Sequence, residues 1–273
     1  MHPIRLYLLP LLTLALFTIA FYPSFSLAVS KWAASDDFTH AFFTVPIIIY
    51  MFWQKRETLL DKRGNLVVGS VLCAVSLFFY LLSLQIQVPT VILLATVCTI
   101  ISSVVLLSGL RALGLLVVPL LLLFMIIPIP NQLFSMLTAT LQLKVSAVSE
   151  MIIGLLGVPI FREGNVLHVP GKTFQVVEAC SGIRSLISMT TLSLIIGHFT
   201  LERGRSIALL FVLSIPIAIV INVIRVVGLV AVYSFWNIDL SSGTPHTVFG
   251  VLLFLLGLAM LFLFQRILEK WEA

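Results

Sequence analysis

Three polar side chains far apart in the chain could do chemistry together: Cys180, Arg225 and His246. Cys180 stands in Glu178-Ala179-Cys180-Ser181-Gly182-Ile183-Arg184-Ser185, between a short polar stretch and a long apolar one. It is the only cysteine with polar neighbours; Cys73 and Cys98 lie inside apolar runs. A thiol becomes a nucleophile when it reaches water, has a cation nearby and opens a helix. A helix starting at Ser181, with Arg184 one turn beyond Cys180 on the same face, offers the last two. In such a set the thiolate attacks a peptide carbonyl. A histidine protonates the leaving amine and later activates the acceptor, and a guanidinium holds the tetrahedral oxyanion. Each residue also has a plainer reading. Cys180 can be a small apolar group at a helix start, with Gly182 allowing close packing. Arg225 can snorkel to headgroups. Glu178 either orients a histidine or an arginine or is a solvated loop carboxylate, and Arg184 either supports the thiolate and substrate or pairs with Glu178.

The medium in which these residues must meet follows from composition. Of 273 residues 60% are hydrophobic and only 10% charged, with a mean hydropathy of +1.17. A soluble domain carries about 25% charged residues. The chain therefore reads as an all-α polytopic membrane protein with the bilayer as its solvent. Its net charge of +5 sits in short loops, so it speaks of topology and not of nucleic acid. The three cysteines make no disulfide framework. The His and Cys spacings match no zinc pattern, and no metal or cofactor is expected. No repeat or linker divides residues 1–273, which read as one domain.

About eight transmembrane helices are expected, over residues 4–23, 41–54, 66–86, 90–108, 112–127, 183–200, 206–235 and 247–265. Ser26-Leu27-Ala28 could serve a signal peptidase, but the first run is long and leads into further spans, so a retained helix is favoured. Residues 24–40 read as a polar loop. Residues 131–178 form an insertion between the fifth and sixth spans. Its first part, 131–157, is broken by Gln132, Gln142, Lys144 and Glu150 and suits an amphipathic helix at the interface, a full span being the alternative. Its second part reads as a small β-hairpin: a strand Val166–Val169, a turn at Pro170-Gly171-Lys172, and a strand from Thr173 to Val177.

Placing Arg5 inside puts Lys55, Arg56, Lys62, Arg63, Arg111, Arg203, Arg205, Arg266 and Lys270 inside as well. Ten of the sixteen basic residues then lie in short inner loops, as the positive-inside rule requires. The insertion falls on the outer face. Cys180 comes at the outer end of the sixth span and His246 at the outer start of the eighth. Arg225 lies 19 residues beyond Ser206 on the seventh, roughly 28 Å along a helix, near the far edge of a core of about 30 Å. An arginine there suggests function. His40, also outer, competes with His246 for the proton-carrying role and could line the same site. His198 and His2 fall inside, and His168 on the hairpin reads as a surface residue.

At these residues the chain resembles the exosortase/archaeosortase family of membrane cysteine transpeptidases. The matching stretches are Glu178–Ser185, Asn222-Val-Ile-Arg225, and His246 with Gly250 four residues on. Phe124-Met-Ile-Ile-Pro-Ile-Pro130, Gly157-Val-Pro159 and the stretch from Tyr50 to Arg56 are similar too, so the likeness covers most of the chain. One departure is Thr39-His40-Ala41, where His-Gly is expected. The resemblance implies that Cys180, Arg225 and His246 are catalytic, with Arg184, Glu178, Ser181, Asn222 and His40 in support. It also implies a substrate class: exported proteins with a C-terminal sorting signal, made of a short motif such as Pro-Glu-Pro, a transmembrane helix and a basic cluster. The protein would sit in a Gram-negative inner membrane among lipids, with its site facing the periplasm. It would pass the substrate through a thioester to an acceptor that the sequence does not identify. Bacterial members often accompany exopolysaccharide systems.

Two other classes compete. A transporter or flippase would place polar groups at the midplane of repeated halves, whereas here they gather at one edge and no repeat is visible. A noncatalytic subunit of an exopolysaccharide export system would not need the thiol.

Overall fold

The structure, a computed structural model, describes residues 12, 13, 15–176 and 182–272. It forms two compact units, Met1–Pro130 and Asn131–Ala273.

In the first unit α1 (Tyr22–Ala34) is followed by a single 3-10 turn at Asp36–Phe38. Then come α2 (Ala41–Gln54), α3 (Arg56–Leu60), α4 (Leu66–Ile86), α5 (Pro89–Ser108), α6 (Leu110–Leu115) and α7 (Val117–Met125). The expected polar loop over 24–40 is thus mostly helix. Ser24, Ala28 and Trp32 recur every four residues and form a buried stripe on α1. Thr96 donates to the Ser24 hydroxyl at 2.9 Å, Ser24 donates to the Tyr80 hydroxyl at 3.3 Å, and the Trp32 indole donates to the Ile126 carbonyl at 2.8 Å. These polar groups find helix partners in place of water, the usual glue of membrane helix packing.

The α4–α5 hairpin packs closely. A Cβ added at Gly69 would lie 2.3 Å from the Cα of Leu106, so backbone meets backbone there. The Ser76 and Ser102 hydroxyls are hydrogen-bonded at 3.0 Å. Asn65 caps α4 by accepting from the Val68 amide at 3.0 Å. The fifth expected span, 112–127, is instead α6 and α7, interrupted at Leu116. Pro119 has no N–H to give the Leu115 carbonyl, which explains the break.

In the second unit α8 (Asn131–Leu155) leads into a three-stranded antiparallel sheet: β1 (Phe161–Glu163), β2 (Val166–Val169) and β3 (Lys172–Gln175). Three long helices follow: α9 (Ile183–Thr200), α10 (Gly204–Trp236) and α11 (Gly243–Glu272). The expected hairpin is β2–β3. Val169 pairs with Lys172 across Pro170-Gly171, and Gly171 has φ +82°, the geometry of a type II turn with proline first and glycine second. β1 was not expected. It pairs with β2 across Gly164-Asn165, a turn dipeptide of the kind that favours hairpins.

The sheet is fastened to α8 and α10. Leu167, Phe174 and Val176 share a buried cluster with Val145 and Ile153 of α8 and Val223, Val226 and Val230 of α10. Arg162 pairs with Glu150 at 2.9 Å. At the other end of the unit, the backbone amides of Glu202 and Arg203 donate to the Glu272 carboxylate at 2.8 and 3.0 Å. The start of α10 and the end of α11 therefore lie together, and the two helices run antiparallel.

Among the described residues five helices are long and apolar enough to cross a membrane: α4, α5, α8, α10 and α11. This does not confirm the expected count of about eight. The chain is a multi-pass membrane protein, and the other helices whose full range is described are shorter. α2 has 14 residues, or about 21 Å, against a core of about 30 Å. The segment expected at the interface, α8, is one of the five.

Candidate active site

α10 has 33 residues and extends about 50 Å, well beyond the thickness of a hydrocarbon core. Arg225 lies 21 residues beyond Gly204, about 31 Å along the axis, at the level where the sheet packs on the helix. α11 starts at Gly243 and runs back antiparallel, so His246 falls in its first turn at the same end. The side chains meet there: the Arg225 Nη2 is 3.0 Å from the His246 Nε2. Two residues 21 positions apart, on different helices, are brought together as the sequence led us to expect.

The partners assign the ring tautomer. A guanidinium has donors only, so the Nε2 of His246 accepts. The proton is then on Nδ1, which lies 3.2 Å from the Leu240 carbonyl and donates to it. The result is an imidazole with a lone pair on Nε2, held at both nitrogens and half-buried.

Gly250 permits this pairing. A Cβ there would fall 2.8 Å from the Nη2 and 3.2 Å from the Cζ of Arg225. The guanidinium lies against the α11 backbone one turn beyond His246, which gives the His246/Gly250 spacing a physical reason. Gly250→Ala should improve helix propensity by roughly 0.5–1 kcal/mol and leave protein level intact, yet push the guanidinium off the histidine. We expect tenfold or more loss of any activity that uses the pair, with undiminished membrane accumulation on immunoblots.

One turn before Arg225, Asn222 is 3% exposed. Gly182 rests directly on it: an added Cβ would lie 2.6 Å from the Asn222 Cγ, and the φ of Gly182 is +82°. Both the space and the backbone angle require glycine. Gly182 is the N-cap of α9, so the start of that helix is seated against the α10 turn that carries Asn222 and Arg225. Arg184 lies in the first turn of α9 on an exposed face.

Cys180, Glu178 and Ser181 lie outside the described residues. His40 belongs to the first compact unit, immediately before α2. Its Nδ1 is 3.2 Å from the Asp37 carbonyl. Burial lowers its pKa, offset in part by the hydrogen bond to the Asp37 carbonyl. His198 stands in the last turn of α9, the end opposite Gly182. His168 lies on β2, with its Nδ1 3.1 Å from the Thr173 hydroxyl.

Sequence reasoning passed over one group of residues beside the site. Lys172, placed in the expected turn, reaches the α10–α11 loop. Its Nζ forms an ion pair with Asp239 and donates to the Ser241 hydroxyl at 2.9 Å. Asp239 in turn accepts from the Ser241 amide at 2.8 Å and hydroxyl at 2.6 Å. The Asp239-Leu240-Ser241 order, an Asx-type turn just ahead of His246, was the available signal.

No curated protein matches the chain, and no solved structure does. The family model of the transmembrane exosortases matches residues 32–263. That span, most of the chain, contains the sheet and every candidate catalytic residue, and the chain belongs to the transmembrane exosortase family.

Proposed function

We propose that the protein is a membrane-embedded cysteine protease and transpeptidase. It removes the C-terminal sorting signal of exported proteins and transfers them to an acceptor. The observation that carries this reading is the 3.0 Å contact of the Arg225 Nη2 with the Nε2 of His246, beside the seat of Gly182 on Asn222. Cys180 precedes Gly182 by two residues, and two residues of chain span at most about 7 Å. Its closeness in sequence to Gly182 supports Cys180 as the nucleophile of this reading.

The chemistry runs in two halves. The Nε2 of His246 takes the thiol proton as the sulfur attacks the carbonyl, forming the S–C bond and an oxyanion. Once Nε2 carries a proton it can no longer accept from Arg225, so the guanidinium is released toward the oxyanion. The C–N bond then breaks, the leaving amine takes the Nε2 proton, and a thioester remains. An acceptor amine or water gives its proton to Nε2, attacks the thioester, and the sulfur leaves to regain the proton. Placement in a Gram-negative inner membrane with the site toward the periplasm is part of the same proposal. It suits a substrate whose own transmembrane helix lies in the bilayer while the motif before it emerges at the depth of Arg225.

The test separates three histidines. A tagged protein with a C-terminal sorting helix, coexpressed from the same cell, should be cleaved by wild type and by His198→Ala, and not by His246→Ala. Loss of cleavage from His40→Ala with none from His246→Ala would transfer the proton-carrying role to His40. Unchanged cleavage in all three would leave the chain as a noncatalytic partner.

A further inference from the structure

The loop between α10 and α11 bears on His246 in a way the catalytic reading does not use. It is closed at its start by Asn237, whose φ of 54° ends α10. Between there and Gly243 the chain has no helix or strand. An irregular connection of this kind does not by itself hold a carbonyl still. Yet the Leu240 carbonyl is the acceptor for the Nδ1 proton of His246, at 3.2 Å. Both residues flanking Leu240 are bound by one side chain, Lys172, which pairs with the Asp239 carboxylate and donates to the Ser241 hydroxyl at 2.9 Å.

Lys172 is itself well anchored. It follows the type II turn between β2 and β3. Its Nζ lies 5.0 Å from the ring centroid of Phe174 and 5.3 Å from that of Tyr233, a cation–π seat on β3 and α10. Phe174 is buried in the cluster that fixes the sheet to α10. The Asp239 carboxyl is held far below its ordinary pKa, first by Lys172 and then by the two Ser241 hydrogen bonds. A continuous set of contacts thus runs from the rigid sheet, through Lys172, to Asp239 and Ser241, to the carbonyl between them and to the imidazole.

We propose that Lys172 is a positioning residue for His246: by clamping Asp239 and Ser241 it fixes the Leu240 carbonyl that holds the imidazole in its Nδ1–H tautomer. The consequence is specific. Without the clamp the loop carries the carbonyl away, Nδ1 loses its acceptor, and the ring can place its proton on Nε2. In that form Nε2 can neither accept from Arg225 nor take a proton from a nucleophile. The charge of Lys172 is needed, together with its reach from the turn. The inference deepens the catalytic reading of His246 and rests on it for its meaning. The tautomer, however, can be read without any substrate.

The experiment is nitrogen NMR on detergent-solubilised protein labelled with 15N-histidine, the His246 signals being assigned by their loss in His246→Ala. Wild type should show His246 with a protonated Nδ1 and an unprotonated Nε2. Lys172→Met should move it to the other tautomer or to a mixture, and Lys172→Arg should restore the wild-type pattern. Asp239→Asn, which acts from the loop side and leaves the sheet untouched, should resemble Lys172→Met, and it decides the matter if Lys172→Met does not accumulate. Wild type with the proton on Nε2 would overturn the proposal. So would a wild-type pattern retained in Asp239→Asn. In the cleavage assay the clamp variants should lose kcat by about tenfold to a hundredfold, the range seen when partners orienting a functional histidine are removed, with KM unchanged. A KM effect alone would make Lys172 a substrate contact and would also overturn it. If wild type cleaves nothing, the catalytic reading fails while the NMR result still judges the clamp.

Discussion

Cys180→Ala should abolish processing of a sorting-signal substrate, with the variant present in the membrane at wild-type level. The loss should be roughly ten-thousandfold or more, as when a covalent nucleophile is removed from an enzyme whose catalytic residues act as a unit. Cys180→Ser should recover almost none of it, because a serine hydroxyl ionises far less readily than a thiol and depends wholly on its base. The packing alternative makes the opposite forecast. If Cys180 only fills space at the start of α9, both small replacements leave cleavage near normal. Immunoblots of membrane fractions beside the cleavage assay separate these outcomes, since a packing defect lowers both signals together.

Arg225 is expected to show the next largest effect, and its substitutions distinguish two roles. As an oxyanion donor its removal should cost about a hundredfold to a thousandfold in rate. Arg225→Lys keeps the charge but loses the planar fork that meets His246 through Nη2, so rescue should be incomplete. Because the contact also holds His246, part of the loss should reflect a misplaced ring, and Arg225→Ala combined with His246→Ala should be less than additive. Substrate pulldown should be unchanged in both single variants. Wild-type cleavage by Arg225→Lys or Arg225→Ala would reduce Arg225 to a headgroup anchor and make Arg184 the better oxyanion candidate.

The meeting of Arg225 with His246 was legible in the sequence. Arg225 and His246 could be placed at one depth because helices have a fixed rise and basic inner loops set the count of crossings. The structure puts their side chains 3.0 Å apart. The spacing of Gly250 from His246 was visible as a pattern. Its reason, room for a guanidinium on the α11 backbone, required coordinates. Hydropathy does not see backbone hydrogen bonding, and the helix boundaries departed from expectation where that mattered. Residues 112–127 are apolar throughout, but Pro119 removes a donor and the helix breaks at Leu116. Residues 24–34 look polar, yet Ser24 and Trp32 satisfy themselves against Thr96, Tyr80 and Ile126 across the unit. In the insertion the Pro170-Gly171 turn was read; the Gly164-Asn165 turn carried the same kind of signal for β1 and was passed over. The Lys172 clamp was hidden because its members lie 67 and 69 positions apart, at Asp239 and Ser241. No local pattern joins residues at that distance.

The central claim is that Cys180 forms a covalent bond with the substrate carbonyl and that His246 turns the intermediate over. It is tested most directly by mass spectrometry of the Cys180 peptide. Membranes carrying the enzyme and a sorting-signal substrate would be quenched in acid during turnover and digested. The account predicts a substrate acyl group on Cys180 that neutral hydroxylamine removes, as it does a thioester, and that is absent from Cys180→Ala. Cleavage that continues in Cys180→Ala, or an acyl group found on another residue while Cys180 stays free, would contradict it.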